Sequence, residues 1–373
     1  MKILFDHLAF NQKYGGVSKY FVEIIKKLDS HPNVKILLSV KFTNNFFLRS
    51  INDKIFSFFN GVNFRGKPKL ERLLGDLISL IIIIISRDIK IYHPTHYSNY
   101  ALLFISRKTK IISTVHDMNN WVIPEYYRKF NLRKIRQARQ MKKSNRIIAI
   151  SYKTKDDILK YYPQYKNKID VIYHGVDIIK TKDLQIIDSL PNEFILYVGE
   201  RQTYKNFQNL LEAFVILVNE NKMLNLICAG PSFTIEEINL FKQNSVYNNI
   251  IHKSPNNHQL AYLYKKARVF VFPSKYEGFG LPCLEAMSQS CVMAVSDNSV
   301  FPEICSSSAA YFNPEDITSI YKTIKSTLYN HRVRQALIDN MSKRIKYFSW
   351  DLSAKKHLDV YTKTINQNNE IRE

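Results

Sequence analysis

At 373 residues the chain is about twice the usual single-domain length, so two comparable domains are the expected organisation. Its 45% hydrophobic and 23% charged residues are enough to bury full cores, which excludes a disordered tail protein, a fibrous repeat and a small disulfide scaffold. The net charge of +22 is unevenly held: residues 1–175 carry 32 Lys and Arg against 12 Asp and Glu, while residues 176–373 carry 22 against 20. The first half is therefore expected to meet an anionic partner: a lipid headgroup, a nucleic acid or a phosphorylated substrate.

The chain opens on MKILFDHLAF, whose apolar stretch is short and broken by Asp6 and His7, so a secretory signal is not expected. Short β-branched runs then alternate with amphipathic stretches. KILFD (2–6), VKILLSV (34–40), IKIYH (89–93), KIISTVH (110–116), RIIAIS (146–151) and KIDVIYH (168–174) read as strands; SKYFVEIIKKL (18–28) and KTKDDILKYY (153–162) read as helices. The longest apolar run, LISLIIIII at 77–85, is too short to span a bilayer. It reads as a buried helix or strand, with a helix lying on a membrane surface as the alternative. A second series follows a polar stretch near 180–192: FILYVG (194–199), LNLICAG (224–230), NIIHK (249–253), RVFVFPS (268–274) and VMAVSD (292–297). Repeated strand, helix, strand predicts an α/β protein of two Rossmann-like, doubly wound parallel sheets, with ligands expected at the carboxyl ends of the strands in a cleft between the domains. The boundaries fall at 1–175, 176–348 and a C-terminal segment 349–373. In that segment Trp350, Ala354, Leu358 and Tyr361 form one helical stripe, expected to pack back on the first domain, with Ser349 or Asp351 as its cap. The four cysteines, Cys228, Cys283, Cys291 and Cys305, form no CxxC pair, so neither a zinc site nor a disulfide framework is expected, and reduced cytosol fits.

The most informative stretch is SKYEGFGLPCLEAM, 274–287. A strand ends, a turn bearing Gly278 and Gly280 follows, and a helix begins near Leu281 or Pro282. The free amides of such a helix start suit a pyrophosphate. Glu277 lies in the turn and Glu285 about one helical turn past the helix start, so each carboxylate can meet a different part of whatever the phosphates carry.

Glu277 and Glu285, with seven residues between them, and the GFGLP turn resemble the E-x7-E signature of retaining family 4 glycosyltransferases of the GT-B fold. YGGVSKYF (14–21), STVHDM (113–118), AIS (149–151), HGVD (174–177), YVGERQTYKN (197–206) and FPEI (301–304) agree in order, so the resemblance spans almost the whole chain. It is greatest to bacterial enzymes of O-antigen, capsule and related polysaccharide assembly, many of them mannosyltransferases. The resemblance implies a role for each matched position. Arg201 and Lys205 would neutralise the donor pyrophosphate, as a leaving nucleoside diphosphate requires. Glu277 would contact donor-sugar hydroxyls, Glu285 would hold the nucleotide ribose, and Gly278, Phe279, Gly280 and Leu281 would form the turn around the donor. Gly16 would bring backbone to the phosphates, and His116, with Asp117 available to fix its tautomer, would sit near the reacting centre. The donor would be a GDP- or UDP-linked sugar, mannose from GDP-mannose being the weak preference. The acceptor would be a lipid-linked oligosaccharide bound by the first domain.

No two aspartates lie two apart, so there is no DxD metal motif; neither a metal nor a cofactor is expected. GxGxxG and GxxxxGK[ST] are absent too, which argues against a dinucleotide dehydrogenase or a P-loop NTPase. RKFNLRKIRQARQMKK, 128–143, holds eight basic residues and no acid. Arg133, Arg136, Arg139 and Lys143 share one helical side, with Phe130, Leu132, Ile135 and Met141 for apolar contact, and this face is expected to be solvated or to dock on anionic lipid. The expectation is a cytoplasmic enzyme peripheral to the inner face of the membrane. Two rivals differ in class: a sugar-nucleotide epimerase or hydrolase of GT-B shape, which would consume donor without acceptor, and a nucleic-acid-binding protein. The second has no recognition helix or aromatic RNA-binding motif, and charge does not account for Glu277 and Glu285.

Overall fold

The computed structural model describes residues 1–11, 15–40, 43, 45–49, 64, 66–86, 88–97, 101–127, 131–201 and 203–367. The chain divides into two compact units, Met1–Gly175 with Ser349–Glu373, and Val176–Phe348.

The N-terminal unit is a six-stranded, all-parallel sheet of β1 (Lys2–Phe5), β2 (Lys35–Leu38), β3 (Ile91–His93), β4 (Lys110–Val115), β5 (Arg146–Ala149) and β6 (Ile169–Val171), in the order β2-β1-β3-β4-β5-β6. Its helices are α1 (Gly16–Asp29), α2 (Phe46–Arg49), α3 (Lys67–Ile85), α4 (Asn119–Val122), α5 (Leu132–Lys143) and α6 (Tyr152–Tyr161). Ile3, Phe5, Ile91, Ile112 and Ile148 of the strands pack against Phe21, Ile24, Ile25 and Leu28 of α1. Near-continuous apolar strands are what a parallel sheet covered on both faces demands. The strand order reverses between β1 and β3, so the loops following these two strands diverge and leave a crevice where a ligand can enter.

The C-terminal unit has a second all-parallel sheet of β7 (Phe194–Val198), β8 (Asn225–Ala229), β9 (Ile250–Lys253), β10 (Val269–Phe272), β11 (Met293–Ser296) and β12 (Ala310–Phe312), ordered β12-β11-β10-β7-β8-β9. Its helices are α7 (Phe207–Glu220), α8 (Ile235–Gln243), α9 (Asn257–Lys266), α10 (Leu281–Ser288), α11 (Phe301–Cys305), α12 (Ile317–Tyr329) and α13 (His331–Arg344). Here the reversal falls between β7 and β10. The chain ends in α14 (Trp350–Asn366), capped by the Ser349 hydroxyl, which accepts from the Asp351 and Leu352 amides. Trp350, Ala354 and Tyr361 are buried in the core of the N-terminal unit and Leu358 packs at its edge, so the helical stripe read from the sequence packs on the first sheet.

The α/β architecture of two parallel sheets with a returning C-terminal helix is thus the one read from the sequence. The twelfth strand was not foreseen: its three residues, AYF, lie in a serine- and alanine-rich context too short to show alternation. One expectation holds in part. The 77–85 run is the end of α3, a helix whose Ser79 and Ile83 are buried, whereas Leu77, Ile81, Ile84 and Ile85 are exposed.

Candidate active site

In the C-terminal unit the candidate residues sit on the loops that follow β7 and β10, at the strand-order reversal. β7 ends at Val198; the chain passes Arg201, makes a single 3-10 turn over Thr203–Lys205 and enters α7. The loop after β10 leads through Glu277 to Gly280, which caps α10 with φ +86°, ψ 49°, a left-handed conformation that favours glycine. Pro282 in the first turn of α10 costs nothing there, because amides at a helix start have no intrahelical acceptor. The Lys275 amide donates to the Tyr204 carbonyl at 2.8 Å, tying the two loops together. The Lys205 ammonium consequently donates to Glu277 Oε1 at 2.6 Å, with both side chains mostly shielded from solvent. Ser299, itself at φ +56°, accepts from the Glu277 amide and donates to its carbonyl, each at 3.0 Å, which fixes the turn bearing that carboxylate.

Gly278 and Phe279 are buried, Phe279 lying edge-on to Phe348 at 6.1 Å, and Leu281 is half-buried as the first residue of α10. Glu285, half-buried on α10, accepts a long 3.5 Å bond from the Tyr264 hydroxyl.

Arg201 departs from the simple basic-pair reading. Its Nε and Nη2 donate to Glu237 at 2.8 and 3.1 Å, and Nη2 also donates to the Ser232 carbonyl at 2.9 Å. The guanidinium lies 4.8 Å from the Phe233 ring centre. Nη1 is buried and has no hydrogen-bond partner among the described residues. Arg201 is thus clamped by a bidentate carboxylate, with Nη1 left unsatisfied in a buried position. The sequence reading did not foresee Glu237. Its signal was present but pointed elsewhere, because TIEE is a capping box in which Thr234 and Glu237 close the start of α8.

In the N-terminal unit Gly16 begins α1, and His116 follows β4. The His116 ring is half-buried, edge-on to Tyr20 at 5.0 Å and to His174 at 6.0 Å, and its Nε2 has no hydrogen-bond partner among the described residues. Burial first, then His174, His96, His93 and Arg133, hold its pKa well below that of a free imidazole, so it is neutral at physiological pH. Asp117 does not fix its tautomer. That carboxylate accepts from the Asn119 amide and from Arg133 Nη2, each at 3.3 Å. Arg133 also lies 5.7 Å from the Tyr97 ring centre, so the structure turns this residue of the basic helix towards the strand ends. Arg139 and Lys143 stay exposed on α5, as do Leu132 and Ile135, while Met141 is buried and Phe130 lies outside the described residues.

Beneath His116 runs a buried network that sequence reasoning missed. One assignment satisfies each of its atoms. His357 Nδ1 donates to the Ser353 carbonyl at 2.7 Å, so Nε2 accepts from the Tyr20 hydroxyl at 2.6 Å. Tyr20 accepts from Thr114 at 3.1 Å, Thr114 accepts from His93 Nε2 at 2.9 Å, and His93 Nδ1 accepts from the Tyr361 hydroxyl at 2.6 Å. His174 stacks on Trp350 at 6.0 Å. Burial lowers the His174 pKa to about 3 and that of His357 to about 4, and takes His93 well below the ordinary value. Neutral imidazoles thus join α14 to the first sheet.

Comparison with known proteins agrees with this arrangement. The description Glycosyltransferase Family 4 matches residues 14–180, and Glycosyl transferases group 1 matches residues 181–344. The chain belongs to the family 4 glycosyltransferases. It is 26% identical over 245 residues to the O-antigen chain mannosyltransferase RfbU of Salmonella typhimurium, covering 62% of this chain and 67% of that protein. It is also 26% identical over 292 residues to O-antigen chain mannosyltransferase B of Escherichia coli, covering 74% and 75%. Among solved structures, sucrose-phosphate synthase from Thermosynechococcus elongatus superposes with a TM-score of 0.75 at 16% identity, over 97% of this chain and 98% of that one. The fold of this glycosyltransferase is GT-B. Among the described residues no group of His, Cys, Asp and Glu is placed to hold a metal ion, and no helix is long and apolar enough to cross a membrane.

Proposed function

We propose that this glycosyltransferase moves a hexosyl residue, mannosyl by preference, from a nucleotide sugar to a lipid-linked oligosaccharide in surface-polysaccharide assembly, with retention of configuration and without a metal ion. The observation that carries the reading is the Lys205–Glu277 ion pair at the strand-order reversal, beside the start of α10. In this reading Glu277 holds Lys205 in place before the donor arrives and then turns to sugar hydroxyls. Lys205 and the guanidinium of Arg201 meet the diphosphate, and their interaction with it strengthens as the glycosidic bond breaks and negative charge grows on the leaving group. The amides at the start of α10 add to that charge stabilisation, and Glu285 holds the ribose. Gly16 and the neutral His116 belong to the N-terminal unit, which takes the acceptor; His116 positions rather than attacks. The names of the Salmonella and Escherichia relatives support mannose and O-antigen. The excess of basic residues in the first half supports a cytoplasmic enzyme peripheral to an anionic membrane.

The test is incubation with GDP-mannose and a polyprenyl-diphosphate-linked oligosaccharide in the presence of EDTA, with the anomeric configuration of the product read by NMR. Transfer with retention is expected. Donor consumption that is independent of acceptor, or a strict need for a divalent ion, would overturn the reading.

A further inference from the structure

Helix α3 carries an apolar stripe that the N-terminal unit does not cover. On an ideal helix of about 100° per residue, Leu70, Leu73, Leu77, Ile81, Ile84 and Ile85 fall within an arc of about 120°, and every one of them is exposed. Leu73 is 64% exposed, Leu77 54%, Ile84 62% and Ile85 74%. The opposite face holds Gly75, Asp76 and Ser79 together with Ile82 and Ile83, which pack in the core around Leu4 and Tyr92. Gly75 is buried so tightly that a Cβ there would lie 2.3 Å from the His7 ring. Ser79 is buried and its hydroxyl lies 2.5 Å from that of Ser39, and Asp76 Oδ1 approaches His7 Nε2 at 3.4 Å. A helix meant for water on its outer side carries polar residues there.

The stripe has an apolar neighbour and a basic rim. The 3-10 turn Ala101–Leu103 packs beside α3, and after its buried Ala101 come Leu103, 81% exposed, and an exposed Phe104. Exposed Arg107 and Lys108 follow, and the chain is pinned next to the end of α3 where the Thr109 hydroxyl donates to the Ile89 carbonyl at 2.8 Å and the Lys110 amide to the Lys90 carbonyl at 2.9 Å. Lys90 is exposed there too. A contiguous apolar face bordered by cations, on the unit that holds nearly all of the excess positive charge, fits the boundary between headgroups and acyl chains of an anionic bilayer better than a protein partner of unspecified charge.

We infer that α3, together with Leu103 and Phe104, is the element by which the N-terminal unit enters an anionic membrane surface, the apolar stripe inserting and Lys90, Arg107 and Lys108 meeting the headgroups. This rests on the membrane-peripheral reading above but assigns it to α3 in place of the basic helix α5, whose Arg133 is engaged with Asp117.

The test is co-sedimentation of the full chain with phosphatidylcholine vesicles containing about 30% phosphatidylglycerol, at low salt and at about 0.5 M salt, where purely ionic attachment is screened. The wild type should bind, with part of the binding surviving high salt. The triple variant Leu77→Ser, Ile81→Ser, Ile84→Ser should bind roughly tenfold or more weakly. The double variant Leu103→Ser, Phe104→Ser should show the same direction of change by an independent route. Retention of nucleotide binding by both variants separates this claim from the transferase reading, which a soluble acceptor tests without vesicles. Wild-type binding that is absent, or unchanged in both variants, overturns the inference. So does a wild-type dimer in light scattering that the triple variant converts to monomer, because a second copy would then be what covers the stripe.

Discussion

Lowering the pH from 7.5 to 5.0 should unfold the N-terminal unit. His93, His96, His116, His174 and His357 all lie in this unit, and burial keeps each of them neutral well below the ordinary imidazole range. In the unfolded chain the same groups protonate near pH 6.5. A depressed folded-state pKa means that the stability is fully present above the unfolded value and is lost as the pH falls from 6.5 towards the folded values, here about 3 for His174 and about 4 for His357. At pH 5.0 each site costs about 2 kcal/mol relative to pH 7.5, so five sites cost about 10 kcal/mol, comparable to the whole stability of a domain. The assay is urea unfolding followed by tryptophan fluorescence. Trp121 and Trp350 are the only tryptophans, and both lie in the N-terminal unit, so the signal reports on that unit alone. The slope of stability against pH should correspond to about five protons taken up on unfolding, and His357→Gln should reduce it to about four. A loss of less than about 1 kcal/mol between pH 7.5 and 5.0 would refute the neutral, hydrogen-bonded assignment.

Other consequences concern the C-terminal unit. Lys205→Ala should lower kcat/KM by roughly 100- to 1,000-fold, the effect of removing one preorganised charge-stabilising donor, while circular dichroism stays unchanged. Glu237→Gln should leave the nearly buried Arg201 guanidinium undercompensated and destabilise this unit by about 3 kcal/mol, read from amide hydrogen exchange in β7 and β8. Gly280→Ala places a side chain at φ +86° and should cost about 1 kcal/mol and weaken nucleotide binding, measured by calorimetry. EDTA should leave turnover unchanged in a coupled assay of nucleoside diphosphate release.

What could be read from the sequence was what is local in it. Strands announce themselves as β-branched runs, and eleven runs lie on strands of the two sheets; AYF at 310–312 is too short to announce anything. Glu277, Gly280 and Glu285 were legible because strand, turn and helix start lie within a dozen residues, and the short ion pair then follows from which loops adjoin. Glu237 was not legible as the partner of Arg201, because 36 residues separate them and only the return of α8 brings them together. The imidazole network joins His93 to Tyr361 across 268 positions, and no periodicity encodes such a contact. The exposed side of the 77–85 run was not legible for a related reason: hydrophobicity says that a side chain avoids water, but not whether the protein or something outside it provides the shelter.

The most direct test of the central claim is calorimetric titration of the wild type and of Lys205→Ala with GDP and UDP, each in EDTA. Selective binding of one nucleoside diphosphate to the wild type is expected, weakened at least about tenfold by the substitution, since a lost ionic hydrogen bond is worth about 1.5–3 kcal/mol. A folded wild-type protein that binds neither nucleotide, or binds it equally well without Lys205, would contradict it.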